Sequence, residues 1–467
     1  MSNYLGTERI LIKNGTVLTQ DPELGNLDAS DILVENGIIV AVGPNLPVSD
    51  ARIIDASDYI VLPGFIDTHR HNWQSVLRHV GSDWSLAQYF TGVHFGMSKL
   101  FRPQDTYIGN LLGRVDALDS GITTMLDWSH NVETPAHADG AIAGLLEAGG
   151  RSVFAHGGGA TMWQVPSPTP HDRDVLRVQK EYFQSDDQLV TLAFAARGPQ
   201  YTLPDATIAD WELARELGVR ITVHAGDGEW GKHGGVSWMH ERGYTGPEVT
   251  YVHCNTLSDE ELRIIAETGG TASVSADIET QMGHGWPATG RLLDAGIRPS
   301  LSIDTPTSNA ADMFHAMKTT ISTQRALDND ASEAASDAAG LRLNCDDVLE
   351  FATLQGAIAT GLDDKIGSIT VGKQADIILI RATDIGMVPR NNPVGAVVYS
   401  GHRGMVDTVL VAGRVVKENG RMLDVDVKQI ERLAEETTEY LFENSVNIPT
   451  LAGASRGSDW QPAATTA

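Results

Sequence analysis

The segment Val61-Leu-Pro-Gly-Phe-Ile-Asp-Thr-His-Arg-His71 carries an apolar run onto two histidines one residue apart. Extended backbone alternates its side chains, so His69 and His71 point to the same side and one metal ion can take both imidazoles. The apolar, β-branched content around this segment predicts a strand over Tyr59–Thr68. Seven similar runs follow, at Ile122–Trp128, Ser152–His156, Val190–Ala196, Val219–His224, Val249–His253, Thr271–Ser275 and Pro299–Asp304. Longer helical stretches separate them, several ending at Gly, as in Ser120-Gly121, Leu217-Gly218 and Ala295-Gly296, where glycine supplies a left-handed cap. Strands alternating with helices over 59–365 predict a parallel sheet, and eight such units predict an α/β fold of the (β/α)8 TIM-barrel type.

Outside this region the texture changes to short β-type runs. Arg9–Leu18 and Asp31–Gly43 lie before it, the second broken at Asn36-Gly37, a strong hairpin signal. Similar runs return at Ala375–Ile380, Ala396–Tyr399 and Val406–Val416. We therefore divide the chain into an N-terminal β flank (1–58), the barrel (59–365), a C-terminal β flank (366–423) and a final segment (424–467). In the last, Asp424–Ser445 reads as an amphipathic acidic helix followed by a small-residue tail. Residues 326–340, rich in Asp and Ala, read as an exposed loop or short helix.

The 467 residues carry 34 Lys and Arg against 61 Asp and Glu, a formal charge of −27 that excludes a phosphate-backbone binder. Hydrophobic residues at 42% and charged residues at 20% are an ordinary globular mix and exclude wholesale disorder. No apolar run approaches the roughly 20 residues of a membrane span, and the first residues lack the basic and apolar regions of a signal peptide. With only Cys254 and Cys345, a disulfide framework and a four-cysteine zinc site are both excluded, so any metal rests on His and carboxylates. We expect a cytoplasmic protein with no nucleic-acid or membrane partner.

The polar, metal-competent residues fall at strand ends. His69 and His71 follow the first strand, His224 closes the fifth, His253 the sixth and Asp304 the eighth. In a barrel those ends form one face, where active sites are built. A single histidine at such a place is more often a satisfied polar residue than a ligand. Five on one face describe an N/O site suited to Zn²⁺ or Fe²⁺, with room for a water.

The order of motifs resembles the amidohydrolase superfamily, in its cytosine-deaminase-like branch of chlorohydrolases, guanine deaminase and methylthioadenosine/adenosylhomocysteine deaminase. Matching segments are Val61–His71, Leu77-Arg78, Gly121-Ile-Thr-Thr-Met-Leu-Asp127, Val223-His224, Val252–Leu262, Ser302-Ile-Asp304 and Gly367–Ile377, covering nearly the whole chain. The resemblance implies that the flanks form a small β-sandwich and that His69, His71, His224 and Asp304 hold one divalent metal per chain. Zinc is the usual ion and iron the alternative. His253 would orient the hydrolytic water or bind developing charge, and Asp304 would accept the water's proton. The fourth strand, Leu192–Arg197, has no Lys of the kind carboxylated in binuclear relatives, which points to a single metal. A homodimer or homotetramer is the assembly the resemblance implies.

Such a centre makes hydroxide available at neutral pH and adds it to an electron-poor carbon, after which a proton must reach a ring nitrogen or leaving group. The implied activity is hydrolytic deamination of a nitrogen heterocycle of purine, pyrimidine, pterin or triazine type. The alternatives are cleavage of another C–N amide or amidine bond and displacement of a group such as chloride. The family's proton donor is a Glu three residues after the strand-five His, whereas this chain has His224-Ala-Gly-Asp227, with Glu229 two residues further. Either could be the donor. Gln74, Trp73, His130, His156, Glu279, His284, Ser308 and Asn309 are candidate substrate contacts, and Trp84, Trp128 and Trp163 candidate aromatic faces.

Two other motifs fail on context. Gly226-Asp-Gly-Glu-Trp-Gly231 matches a dinucleotide fingerprint, but the next strand ends in His253-Cys254-Asn255 where an acid is required. Gly453-Ala-Ser-Arg-Gly457 matches a nucleophile elbow without a strand before it.

Overall fold

Gly64 divides the apolar run that opens the barrel. In this computed structural model, which describes residues 4–163, 165–331, 342–445 and 448, Tyr59–Pro63 pairs with Ile377–Arg381 in a sheet built by the flanks. Phe65–Arg70 is the first barrel strand. The single strand expected over Tyr59–Thr68 is therefore two. The cause is a close approach: Gly64 N donates to Asp376 O at 2.9 Å, and a Cβ there would lie 2.1 Å from Thr123 Oγ1. Only glycine lets the chain pass between the sheets at this point.

Eight parallel strands follow in chain order: Phe65–Arg70, Ile122–Ser129, Arg151–His156, Val190–Ala196, Ile221–Ala225, Val249–His253, Thr271–Val274 and Ser300–Leu301. The last is brief, and the ring closes just beyond it. Asp304 N donates to His69 O and His71 N to Asp304 O, both at 2.9 Å. Period-2 alternation sorts the strand residues into two apolar layers. Leu126, Trp128, Val153, Ala155, Ala193 and Ala195 belong with Ile66 to one buried cluster, whereas Met125, Phe154 and Val190 belong to another shared with the surrounding helices.

The flanks form a nine-stranded sheet with a core of its own, the small β-sandwich, although Ala396–Tyr399, expected as a β-type run, lies in the helix Pro393–Ser400. Its Asn36-Gly37 turn has φ of 50° and 78° between the paired Glu35 and Ile38, the two positive values a tight hairpin needs. Val61, Ile377 and Leu379 enter the sandwich core. The alternate residues Ile60, Leu62, Ile378 and Ile380 pack with Leu118 and Phe314 of barrel helices. One buried ion pair ties sheet to barrel: Arg151 Nε and Nη2 each donate to Asp376 at 3.0 Å.

The C-terminal helix Val427–Asn444 buries Ile430 and Leu441, and Thr437 Oγ1 donates to Asp105 Oδ1 at 2.9 Å on the helix Pro103–Asp119. Of the stretch expected as a loop or short helix, 326–331 continue the helix Met313–Ala331. Its remaining residues, and the expected tail with Gly453–Gly457, lie outside the described residues. No helix among the described residues is long and apolar enough to cross a membrane.

Candidate metal centre and cavity

His69, His71, His224, His253 and Asp304 all leave their strands at the same end of the barrel and are buried, none above 8% exposed. Donor atoms of His69, His71 and His224 lie within 4.8 Å of one another, and so do those of His69, His253 and Asp304. Asp304 Oδ1 is 3.4 Å from His69 Nε2 and 3.3 Å from His71 Nε2, and its Oδ2 is 3.9 Å from His253 Nε2. His253, Cys254 and Asp304 have φ of 78°, 60° and 63°. Each is a left-handed conformation that costs a non-glycine residue on the order of 1–3 kcal/mol. The ring-closing bonds at Asp304 and the Cys254 N to Ala225 O bond, 2.9 Å, hold the backbone there.

Hydrogen bonds fix the imidazoles. His71 Nδ1 is 3.0 Å from Trp128 O, a carbonyl that can only accept, so the proton sits on Nδ1 and the Nε2 lone pair faces Asp304. Trp73 Nε1 donates to His130 Nδ1 at 3.2 Å, and the same ring nitrogen lies 3.3 Å from Trp128 O. Burial holds His71 down at about 3 and keeps His69 and His224 below the ordinary imidazole range, so all three offer lone pairs. Burial alone would raise the Asp304 carboxyl, but the close approach of His69 and the neighbouring imidazoles of His253 and His71 hold it well below the usual carboxylate range. Both His69 nitrogens, His224 Nδ1 and Asp304 Oδ1 are buried without a hydrogen-bond partner. Together with His71 Nε2, these orphaned atoms make three imidazoles and one carboxylate, a set that fits a divalent ion of the zinc type.

Above the cluster lies a cavity open to solvent. Its wall includes His71, His224, His253, Asp304 and Asp227 from the strand ends, together with His130, Trp163, Tyr201, His284 and Thr305. Asp227 is 2% exposed; Tyr201 Oη donates to its Oδ2 at 2.5 Å and Gln200 Nε2 donates to Oδ1. Glu229, in contrast, stands in solvent, its side chain 85% exposed and paired with Lys232 at 2.6 Å. The Gly226–Gly228 turn, with φ of 79° and 61° at its glycines, carries the chain outward.

The remaining candidates scatter. His284 lines the cavity with both ring nitrogens unpartnered. Glu279 does not line it; it accepts from Ser275 N at 2.8 Å, Asn255 Nδ2 at 3.1 Å and His253 Nδ1 at 3.2 Å, behind His253. Burial lowers the His253 pKa, but this hydrogen bond and the charges of Asp304 and Glu279 outweigh it and bring the ring to about 9. Trp73 is fully buried against Phe101, and Gln74 Nε2 donates to Tyr89 Oη at 2.6 Å, one layer behind the wall. His156 shares the parity of Phe154, so it points into the helix layer, 2.9 Å from His171 Nε2. Ser308 and Asn309 lie past the wall, Asn309 Nδ2 donating to Ile303 O at 3.2 Å.

Tyr89, Phe90 and His94, in a stretch where no candidate is expected from sequence, also line the cavity. They come from a short helix, Leu86–Tyr89, and a π turn, Phe90–His94, closed by Phe95 N to Phe90 O at 2.7 Å. Such turns recur at functional sites. The only available signal was an aromatic and histidine cluster in an unusually long connection.

The amidohydrolase family profile matches residues 60–416. The 5-methylthioadenosine/S-adenosylhomocysteine deaminase of Desulforudis audaxviator is 29% identical over 454 residues, covering 93% of this chain and 100% of that protein. The 5'-deoxyadenosine deaminase of Methanothermobacter thermautotrophicus is 28% identical, covering 90% of this chain and 98% of that protein. Among solved structures, an adenosine deaminase of Xanthomonas campestris with bound zinc superposes with a TM-score of 0.80 at 23% identity, covering 94% of this chain and 100% of that one. An atrazine chlorohydrolase of Arthrobacter aurescens, complexed with zinc and atraton, gives 0.79 at 23% identity, over 92% of this chain and 100% of that one. At these identities the two structures bear on the fold alone.

Proposed function

The chain belongs to the amidohydrolase family, and from that premise we propose that it is a metal-dependent hydrolase that deaminates a nitrogen heterocycle. The aminated purines, pyrimidines, pterins and triazines are the substrate classes. One observation carries the reading: four buried donors converge at a cavity whose wall also presents a buried carboxylate, Asp227. His69, His71, His224 and Asp304 would hold one divalent ion per chain, Zn²⁺ in preference to Fe²⁺. Such an ion, when bound, supplies Lewis acidity and lowers the pKa of a water to about 7.

The chain's own groups account for the proton and the ring. Asp304 Oδ2, beside His253, accepts a proton from the attacking water. His253, pinned by Glu279, steadies charge developing on oxygen. Asp227 is the proton donor to the ring nitrogen or leaving group. It is one methylene shorter than the Glu it replaces, and Tyr201 and Gln200 fix where its oxygens lie. Tyr89, Phe90 and Trp163 offer apolar faces for a planar ring, and His130 offers a polar ring to its edge. A homodimer or homotetramer and a cytoplasmic location belong to the same proposal.

A second reading, cleavage of another C–N bond or displacement of a group such as chloride, is favoured by one fact. Both Asp227 oxygens accept hydrogen bonds, so at rest the carboxylate is not poised to donate. Ammonia release by the zinc-loaded protein across aminated purines, pyrimidines, pterins and triazines, with metal content read on the same sample, separates the two. Ammonia from one class is the expected result. None from any class, with one metal bound per chain, overturns deamination in favour of the second reading.

A further inference from the structure

We propose a second divalent-cation site in the same cavity, formed by Asp227, His253 and His284, whose occupancy blocks the reaction. Their donor atoms lie within 4.8 Å of one another, and all three side chains are buried. His284 is 3% exposed and neither of its ring nitrogens has a hydrogen-bond partner. A buried imidazole left unpaired on both nitrogens is costly unless something else completes it.

The backbone places it deliberately. The helix Ala276–Met282 stops at Gly283, with φ of 81°, and His284 N returns to Glu279 O at 3.0 Å. Gly228 N donates to His284 O at 2.8 Å, which clamps the Asp227 turn against the His284 loop. The His253 and His284 rings meet edge to face at 4.7 Å. His253 spends Nδ1 on Glu279, so its Nε2 is the atom it can turn to the ion, which must displace the proton there. Each Asp227 oxygen keeps one further lone pair beyond the bonds from Tyr201 and Gln200. Two imidazoles and a carboxylate are a donor set for zinc and its neighbours in the first transition row. Those shared commitments make this the weaker of the two sites.

The blocking role rests on the proposed function, because an ion here occupies the Asp227 proton donor and the His253 ring. The site itself does not, since stoichiometry is read without substrate. Equilibrium dialysis of the metal-loaded protein against rising Zn²⁺, followed by elemental analysis, gives a second, weaker equivalent per chain. His284→Gln and Asp227→Asn each weaken that equivalent at least about tenfold and retain the first, which also reports that the variants are folded. Saturation at one equivalent in excess Zn²⁺, or an unchanged second equivalent in both variants, overturns the site. Hydrolysis that falls in step with filling of the second equivalent supports the blocking role, and full turnover with both equivalents bound overturns it.

Discussion

Glu279 is fully buried and accepts from the Ser275 amide, Asn255 and His253, so it sets both the angle and the charge of the ring it holds. Glu279→Gln keeps the volume and removes the charge. It is expected to lower kcat by about 10- to 100-fold with metal content unchanged, as loss of a partner behind a working imidazole does. Steady-state kinetics beside elemental analysis checks this, and unchanged kcat contradicts it. At this scale the histidines were legible because a one-residue spacing at a strand end has few other uses. Glu279 was legible only as a polar residue, since the Ser275 turn that swings it behind His253 leaves no mark in composition. His156 could have been placed correctly by counting parity from Phe154. The choice between Asp227 and Glu229 depended on the left-handed glycines on either side of Asp227, Gly226 and Gly228, whose effect spacing does not encode.

The elements that deliver these residues depend on one crossing. A methyl group at Gly64 meets Thr123 at both its hydroxyl and its methyl carbon, 2.1 and 2.2 Å away. Gly64→Ala therefore pushes the flank strand off the barrel strand and is expected to cost about 1–3 kcal/mol of stability. Chemical denaturation measures it, and a variant as stable as the parent contradicts the reading of Gly64. The eight barrel strands were legible as short buried runs with helices between them. The division of the first was not, because Tyr59–Pro63 and Phe65–Arg70 are both apolar and buried, and apolarity does not say in which sheet a strand pairs. The connection from Asn72 to Leu100 was least legible of all. Its 3-10 and π turns follow neither the helical period nor the strand period, so Tyr89, Phe90 and His94 carried no pattern.

Over the whole molecule, sandwich and barrel are joined by the Arg151–Asp376 pair, each side chain 2% exposed. Asp376→Ala strands a buried guanidinium and is expected to cost about 3–5 kcal/mol, whereas Arg151→Met with Asp376→Leu recovers most of that loss. A double variant no better than the single one contradicts this account of the joint. The barrel itself serves to bring residues from strands one, five, six and eight to one mouth, up to 235 positions apart in sequence between His69 and Asp304. Metal content and turnover, measured together on the parent and on His69→Ala/His71→Ala, bear most directly on that centre. Bound divalent metal and hydrolysis are expected in the parent and neither in the variant. Full turnover by a metal-free double variant would contradict this expectation.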